Sequence, residues 1–316
     1  MVKLILPDHL IADIEPHLPS DIDVVEVDSE GNLDGDASDA EVYVNGFYLK
    51  ASTLDKVLTA APRLCWQQSP SAGVNHILTP NFLQKDIILT NGAGVHAIPI
   101  SEFVLAFMLY HAKNLRKLQT LQDEHTWVRG VFLEELADAT LLILGTGNIG
   151  QAIASRAKAF GVKVWGSRRH PELLPNFDKI VGADEWRSLL PAADYVVIAT
   201  PLTPETKGLI DEAALRSMRQ SAYLINIARG AIVNETALLT ALSEGWIAGA
   251  GLDTVATEPL PPESPLWSLP NAFITPHCSA LSPPLRERIA QLFIDNLKRY
   301  QTGQPLRNVV DKKAGY

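Results

Sequence analysis

The chain of 316 residues contains little cysteine and no long apolar run. Its two cysteines, Cys65 and Cys278, are too few for a disulfide framework and lack the paired spacing of a zinc site. We therefore expect a protein of a reducing compartment, the cytoplasm, that has no metal centre. The longest uninterrupted apolar run, Phe103 to Tyr110, has 8 residues. A helix needs roughly 20 such residues to cross a bilayer, so we expect no membrane span.

Basic clusters and several familiar motifs are also missing. The formal net charge is −9, and the longest basic clusters are pairs such as Arg168-Arg169. Nucleic acid and anionic membranes are therefore unfavoured partners. The N-terminal run MVKLIL stops at Pro7 and lacks the apolar length and cleavage site of a signal peptide. No HExxH, Walker A or GxSxG motif occurs, which argues against the enzymes that those motifs mark.

Apolar periodicity predicts two consecutive α/β series. Up to about residue 98, short β-rich runs alternate with helical ones, and the segment from Ile98 to Gln119 then predicts one continuous helix. A second series follows, and its strands are rich in Val, Ile, Leu and Ala, which indicates a mostly parallel, doubly wound sheet. These strands are predicted at 140–144, 162–166, 195–200, 222–228, 248–253 and 272–275. A last helix is expected at about 284–301.

A glycine-rich turn is the clearest local signal, because it follows one of these strands directly and opens a helix. The turn consists of Gly145, Thr146, Gly147, Asn148, Ile149 and Gly150. In a GxGxxG turn the first glycine allows the tight bend, the second lets a pyrophosphate approach, and the third lets helix and strand pack closely. In other contexts such glycines form only a flexible loop. Between a strand and a helix, they predict a dinucleotide site.

The residues about 20 positions further on indicate which dinucleotide binds. An NAD site usually has an acidic residue there, which binds the ribose 2′-hydroxyl and repels a 2′-phosphate. Here the position is Ser167, followed by Arg168 and Arg169, and no acidic residue occurs between 162 and 170. Since arginine can bind a phosphate with two hydrogen bonds, we expect NADP(H) to be preferred, with NAD possible. Alternatively, the two arginines are a solvated surface pair.

Three ionisable residues come just after strands of the second series. They are Arg229, Glu258 and His277. Ligands of doubly wound sheets bind outside the carboxyl ends of the strands, so residues far apart in sequence can converge there. Reduction of a ketone needs a proton donor and a positive charge at the carbonyl. His277 is the candidate donor, Glu258 would stabilise its imidazolium form, and Arg229 would orient and polarise an α-keto acid. Each residue alone is more often structural.

Together these segments resemble the D-isomer-specific 2-hydroxyacid dehydrogenase family over nearly the whole chain. The resemblance is carried by SPSAGVNHI (69–77), ISEFVLAFMLYHAKNL (100–115), LLILGTGNIG (141–150), ATPLTPETKGLI (199–210), LINIARGAIVNETALLTAL (224–242), GLDTVATEPLPPESPLW (251–267) and ITPHCSA (274–280). Because the acidic residue at the ribose is missing, the chain looks like the glyoxylate/hydroxypyruvate reductase branch.

The family resemblance implies two doubly wound parallel-sheet α/β domains with the active site in the cleft between them. The substrate-binding domain would comprise 1–98 plus 285–316, and the Rossmann dinucleotide-binding domain 99–284. Arg229, Glu258 and His277 would be the catalytic residues. Ala72, Gly73 and Val74 would bind the substrate carboxylate through backbone amides. The cofactor would also contact Thr200, Pro201, Ala228 and Asp253. A homodimer built through 100–135 is implied, in which Trp127 is a candidate contributor to the partner's site.

The expected activity is reduction of a small 2-keto acid, such as glyoxylate, hydroxypyruvate or pyruvate, by NADPH. One departure from the family is that LDVFxxEP reads Leu252 to Pro259 without the aromatic residue, although the Asp-to-Glu spacing is kept. The alternatives are an NAD-dependent dehydrogenase of other substrate range, a dinucleotide-sensing corepressor-like protein and a methyl transferase. We expect Asn45 to Leu49 and Ile98 to Ser101 to select the substrate side chain, at about 1–3 kcal/mol per methylene.

Overall fold

The computed structural model describes residues 2–47 and 49–315, which fold into two compact units. The first unit combines Met1–His96 with Ser282–Tyr316, and the second unit is Ala97–Leu281. The chain therefore enters the second unit once and leaves it once. Tyr48, which belongs to the loop predicted to select the substrate, lies outside the described residues.

The first unit is built on a parallel sheet. Its strands are β1 (Val2–Pro7), β2 (Ile22–Val27), β3 (Val42–Val44), β4 (Trp66–Gln68) and β5 (Ile88–Thr90). Its helices are α1 (Asp8–Ile14), α2 (Ala51–Ala60), α3 (Pro80–Leu83) and the C-terminal helix Pro284–Gln301. The strands follow the order β2-β1-β3-β4-β5, and each neighbouring pair is parallel.

Side chains from β1 show that both faces of this sheet are covered. Leu4 and Leu6 belong to a buried cluster with Phe293 of the C-terminal helix. Ile5 points to the opposite face and belongs to a cluster with Leu54 of α2. Successive side chains of a strand point to opposite faces, so a strand buried on both faces reads as a continuous apolar run. This is why Leu4, Ile5 and Leu6 follow one another without a polar residue between them.

The second unit contains a larger parallel sheet. Its strands are β6 (Thr140–Leu144), β7 (Lys163–Ser167), β8 (Lys179–Val181), β9 (Tyr195–Ile198), β10 (Tyr223–Asn226), β11 (Gly249–Leu252) and β12 (Ala272–Ile274). Its helices are α4 (Ala97–Ala112), α5 (Leu115–Asp123), α6 (Asn148–Lys158), α7 (Glu212–Ser217) and α8 (Glu235–Ser243). The order is β12-β11-β10-β9-β6-β7-β8.

This order places a topological switch point between β6 and β9, where an open α/β sheet binds its ligands. Both faces of the sheet are covered here too. Leu142 and Leu144 pack on one face, and Leu141 and Ile143 pack on the other. The predicted fold class, two parallel-sheet α/β domains with a larger Rossmann-type sheet, is therefore confirmed.

Some local predictions were wrong. The single helix expected from Ile98 to Gln119 is two helices, α4 and α5. Asn114 between them has φ = 41°, a left-handed conformation that asparagine tolerates and that ends an α-helix. The edge strand β8 was not predicted, because its three residues show no usable periodicity. Among the described residues, no helix has both the length and the hydrophobicity needed to cross a membrane.

Candidate active site

The glycine-rich turn lies at the carboxyl end of β6, beside the end of β9. Gly145 has φ = 100°, and a Cβ atom on it would lie 2.6 Å from the carbonyl oxygen of Ala199. A Cβ atom on Gly150 would lie 2.2 Å from the carbonyl oxygen of Gly145. Both contacts are impossibly short, so these two glycines are required by the fold itself. Gly147 differs, because a Cβ atom there would meet nothing within 4 Å.

The open side of this turn has the features of a phosphate site. No side chain caps the N-terminus of α6, whose first residues are Asn148 and Ile149. Its first backbone N–H groups and the positive end of its dipole are therefore available to an anion. The Thr146 hydroxyl is buried and has no hydrogen-bond partner within 2–47 and 49–315. Together with the space above Gly147, these groups fit the pyrophosphate of a dinucleotide.

The predicted ribose site follows β7. Ser167 is buried, and its hydroxyl donates to the carbonyl oxygen of Gly182 at 3.2 Å. The Arg168 guanidinium forms an ion pair with Glu172. Arg169 is exposed. The structure thus places two guanidinium groups at the end of β7, and that of Arg168 is engaged by a carboxylate.

The loops after β9 and β10 contain the other residues expected near the cofactor. Thr200 is half-buried and Pro201 is exposed, and the Pro201 carbonyl accepts a hydrogen bond from the Thr206 hydroxyl at 2.7 Å. The Ala228 carbonyl accepts a hydrogen bond from Arg229 Nη1 at 2.7 Å. Thr200 and Ala228 both follow strands at the same edge of the sheet as the glycine turn.

Asn226, which the sequence analysis did not single out, shapes the segment that carries Arg229. Its side chain is 1% exposed. Its Oδ1 accepts from the Ala228 amide at 3.0 Å, and its Nδ2 donates to the Arg229 carbonyl at 3.0 Å. The buried amide thereby satisfies the backbone of the turn after β10. An asparagine inside the apolar run LINIA was the signal available in the sequence.

Glu258 and His277, 19 residues apart in sequence, form a hydrogen-bonded pair. His277 Nδ1 lies 2.8 Å from Glu258 Oε2, and the Val255 amide donates to Glu258 Oε1 at 3.2 Å. The side chains are 37% and 38% exposed, so solvent or a ligand can reach both. A carboxylate on Nδ1 leaves Nε2 of the ring to exchange a proton with a ligand.

Asp253 holds the segment that carries His277. Its Oδ1 accepts from the Thr275 hydroxyl at 2.6 Å and from the Cys278 amide at 2.9 Å, and its Oδ2 accepts from the Ser279 amide at 3.1 Å. His277 itself has φ = 51°, a conformation that costs a non-glycine residue energy. The three hydrogen bonds to the buried Asp253 carboxylate stabilise this turn. Thr275 was not identified from the sequence.

The charges of the site act on one another. Burial by itself raises the pKa of Glu258. The hydrogen bond and charge of His277, the Val255 amide and the charge of Arg229 outweigh that effect, so the pKa lies below its usual value. Burial lowers the pKa of Arg229, which the charge of Glu258 opposes. Glu258 is therefore a carboxylate at neutral pH, and Arg229 stays a cation.

The predicted carboxylate-binding turn belongs to the first unit and follows β4. The amides of Ala72, Gly73 and Val74 donate to no acceptor within the part of the chain that the structure describes. The turn is held in place by Asn91, whose Nδ2 donates to the Ala72 carbonyl at 2.8 Å. Three consecutive unpaired amides are a suitable cradle for an anion.

The chain is similar to a known protein family over most of its second unit. The family described as D-isomer specific 2-hydroxyacid dehydrogenase, NAD binding domain, matches residues 105–279. A glyoxylate/hydroxypyruvate reductase B of Pectobacterium carotovorum is 34% identical over 320 residues, which cover 99% of this chain and 98% of that protein.

Two solved structures are similar over nearly their whole length. An NADPH-dependent glyoxylate/hydroxypyruvate reductase of Sinorhizobium meliloti, in complex with NADP and sulfate, has a TM-score of 0.86 and 30% identity, covering 99% of both chains. A D-isomer specific 2-hydroxyacid dehydrogenase of Xanthobacter autotrophicus Py2, in complex with NADPH and MES, has a TM-score of 0.88 and 28% identity, covering 100% of this chain and 99% of that one. With its glycine turn and its Glu–His pair at one sheet edge, the chain belongs to the D-isomer-specific 2-hydroxyacid dehydrogenase family.

Proposed function

We propose that this protein reduces a small 2-keto acid, such as glyoxylate or hydroxypyruvate, to the 2-hydroxy acid with NADPH. The observation that carries the proposal is the Glu258–His277 pair, with Nδ1 and Oε2 2.8 Å apart. It lies at the same edge of the second unit's sheet as the glycine turn and Arg229. The relatives named glyoxylate/hydroxypyruvate reductase support the substrate class.

In this proposal each catalytic residue has a separate task. His277 holds a proton on Nε2 and transfers it to the carbonyl oxygen of the substrate. Glu258 binds Nδ1, which fixes the orientation of the ring and stabilises its charged form. Arg229 binds and polarises the α-keto acid with its planar guanidinium. The nicotinamide cofactor, when bound, supplies the hydride.

Other residues of the second unit bind the cofactor in this proposal. Gly145 to Gly150 and the start of α6 bind the pyrophosphate, and Ser167, Arg168 and Arg169 bind the 2′-phosphate of the adenosine ribose. Thr200, Pro201, Ala228 and Asp253 line the remainder of the cofactor site. Two arginines without an adjacent acidic residue in the strand support NADPH as the preferred cofactor, with NADH possible. Glu172, which pairs with Arg168, would moderate this preference.

In this proposal one unit binds the cofactor and the other binds the substrate. The segment 99–284 is proposed as the dinucleotide-binding domain, and 1–98 with 285–316 as the substrate-binding domain. The unpaired amides of Ala72, Gly73 and Val74 support a carboxylate site in the latter. Their N–H groups would bind the substrate's carboxylate and leave its side chain to the loop after β3.

We further propose a homodimer in the cytoplasm. The segment between α5 and β6 exposes large apolar side chains, with Trp127 92% and Phe132 97% exposed. Such a patch on one segment is typical of a protein–protein interface. Both cysteines are free thiols, which suits a reducing compartment.

A spectrophotometric screen tests the proposed function. NADPH and NADH oxidation are followed with a panel of 2-keto acids that includes glyoxylate, hydroxypyruvate and pyruvate. We expect turnover with at least one small keto acid and a higher kcat/KM with NADPH. Failure of both cofactors with every acid would refute the proposed reaction, and a clear preference for NADH would refute the proposed role of Arg168 and Arg169.

A further inference from the structure

The loop that carries Glu258 makes one very close backbone contact, with the turn after β10. We define the Glu258 loop as residues 254–258, which follow β11 and the buried Asp253. On one side it touches the turn after β10 so closely that a Cβ atom on Gly230 would lie 1.9 Å from the carbonyl carbon of Val255. This contact fixes how near the loop comes to Arg229. It does not fix how far the loop can move in the opposite direction.

The Glu258 loop also borders a small cavity. The cavity lies between the loop (Thr254 to Ala256), Gly230 in the turn after β10, and Glu235 and Leu238 of α8. The Thr254 hydroxyl is buried, and none of the described residues hydrogen-bonds to it. Val255 packs against the buried cluster that includes Leu238 of α8, but the Thr254 hydroxyl adds no hydrogen bond, and the cavity leaves the loop room to move.

Glu235 provides the missing attachment. It is the first residue of α8, and its Oε2 accepts a hydrogen bond from the Ala256 amide at 3.0 Å. Within 2–47 and 49–315, it is the one side chain from outside the Glu258 loop that hydrogen-bonds to the loop's backbone. The adjacent Val255 amide donates to Glu258 itself at 3.2 Å. The Ala256 amide therefore links the loop to Glu235, and the neighbouring Val255 amide binds the Glu258 side chain within the loop.

We propose that Glu235 is a positioning residue, which acts through the Ala256 amide to keep Glu258 aligned with Nδ1 of His277. This role rests on the proposed function of Glu258 and His277, since Glu235 itself touches neither the ring nor a reacting atom. When Glu235 is absent, the loop can shift toward the cavity, and the hydrogen bond between Glu258 and His277 weakens. The charged form of His277 is then less stabilised at a given pH.

Three variants separate positioning from structure. Glu235→Ala removes the acceptor, whereas Glu235→Gln keeps a side-chain oxygen that can accept from the Ala256 amide. Glu244→Ala is the matched control, because Glu244 caps the other end of α8 and, among the described residues, its side chain accepts a hydrogen bond only from Trp246 Nε1. Steady-state kinetics of keto-acid reduction across pH are measured for all three, together with thermal unfolding and the NMR titration of the His277 imidazole, assigned with His277→Gln.

We expect Glu235→Ala to lower kcat about tenfold at neutral pH, with KM for the keto acid little changed and part of the loss recovered as pH falls. The NMR titration of His277 should move to lower pH. Glu235→Gln and Glu244→Ala should stay within about twofold of the wild type. A merely structural role would lower stability and leave the pH dependence of kcat and the His277 titration in place, which would overturn the proposal.

The two proposals can fail separately. If the wild type reduces keto acids and Glu235→Ala keeps the wild-type kcat, pH profile and NMR titration, the positioning role is wrong and the proposed function stands. If the wild type reduces no keto acid, the proposed function is wrong, and the NMR titration alone decides whether Glu235 aligns Glu258 with His277.

Discussion

The glycine turn after β6 and the loops carrying Glu258 and His277 lie at the same edge of one sheet, but they are built differently. The turn is six consecutive residues, and two of its glycines are required by contacts with backbone atoms. The Glu258–His277 pair joins two loops, and each loop depends on a carboxylate, Asp253 or Glu235, that binds backbone amides. A contiguous turn is thus shaped by sterics, whereas the Glu258–His277 pair is shaped by long-range hydrogen bonds.

This difference implies that cofactor binding and turnover can be lost independently. A change in the turn alters the surface proposed to bind the cofactor's phosphates. A change in the catalytic loops leaves that surface intact, because none of the hydrogen bonds that hold Glu258 and His277 involves the turn. The following variants test this separation, from the largest expected effect to the smallest.

His277→Ala removes the proposed proton donor and should separate the two regions most clearly. We expect kcat for keto-acid reduction to fall by about 1,000-fold or more, since a positioned general acid contributes on the order of 10²–10⁴-fold. The dissociation constant of NADPH, measured by fluorescence titration, should remain within about threefold, because the glycine turn is unchanged. Loss of NADPH binding with retained turnover would show that His277 serves cofactor binding and is not the proton donor.

Glu258→Gln should lower kcat by about 100-fold at neutral pH, because the amide no longer stabilises a charged imidazole. The expected loss shrinks as pH falls, because a lower pH supplies the proton that the general acid must carry. A pH-independent loss would contradict this role.

The difference in unfolding free energy between the wild type and Glu258→Gln should also depend on pH. Glu258 has a lower pKa in the folded protein than its ordinary value of 4.5. Its charge therefore contributes stability above that ordinary value, and the contribution is lost as pH falls through the lower folded pKa. Urea unfolding of wild type and Glu258→Gln should differ at pH 7 and converge in acid. Equal stability at both pH values would show that the carboxylate contributes nothing.

Gly147→Ala and Gly150→Ala divide the turn into its binding and folding parts. A Cβ atom on Gly147 meets nothing within 4 Å, so this variant should keep the wild-type Tm while its affinity for NADPH falls about tenfold or more. A Cβ atom on Gly150 lies 2.2 Å from the Gly145 carbonyl oxygen, so this variant should lose about 2–3 kcal/mol of stability. Equal losses of Tm in both variants would contradict this division.

Glu172→Gln should have the smallest effect, and it sharpens the cofactor assignment. The variant frees Arg168 from its ion pair and so makes the guanidinium available to the 2′-phosphate. The affinity for NADPH should rise about threefold and that for NADH should stay constant, with the gain reduced at high salt. An equal gain for both cofactors would show that Arg168 does not recognise the 2′-phosphate.

Much of the second unit was predictable because the information is local. The strand ATLLIL, the turn after it and the start of α6 are contiguous, so spacing alone identified them. The C-terminal helix was also predicted at its observed bounds, 284–301. The break between α4 and α5 was missed because the apolar pattern continues across Asn114, whose φ of 41° depends on its surroundings.

The hydrogen-bond and ion-pair partners of side chains were less predictable. An asparagine inside LINIA signals a buried polar group, but nothing in the sequence says that it binds the Ala228 amide and the Arg229 carbonyl. Nor does the sequence indicate that Thr275 donates to Asp253, because that bond joins groups that only the fold brings together. The ion pair between Arg168 and Glu172 could have been noted from its i, i+4 spacing. The assignment of catalytic roles to Arg229, Glu258 and His277 stays a prediction.

The sequence by itself determined the α/β class, the glycine turn between β6 and α6, and the family, because strand periodicity and glycine spacing are local properties that a short stretch carries in full. Only the tertiary structure decided that Nδ1 of His277 meets Oε2 of Glu258 and that Asp253 and Glu235 hold their loops. Parallel strands bring the ends of distant segments to one edge, but 2.8 Å contacts there depend on where each loop's amides find acceptors, which no spacing in the sequence encodes.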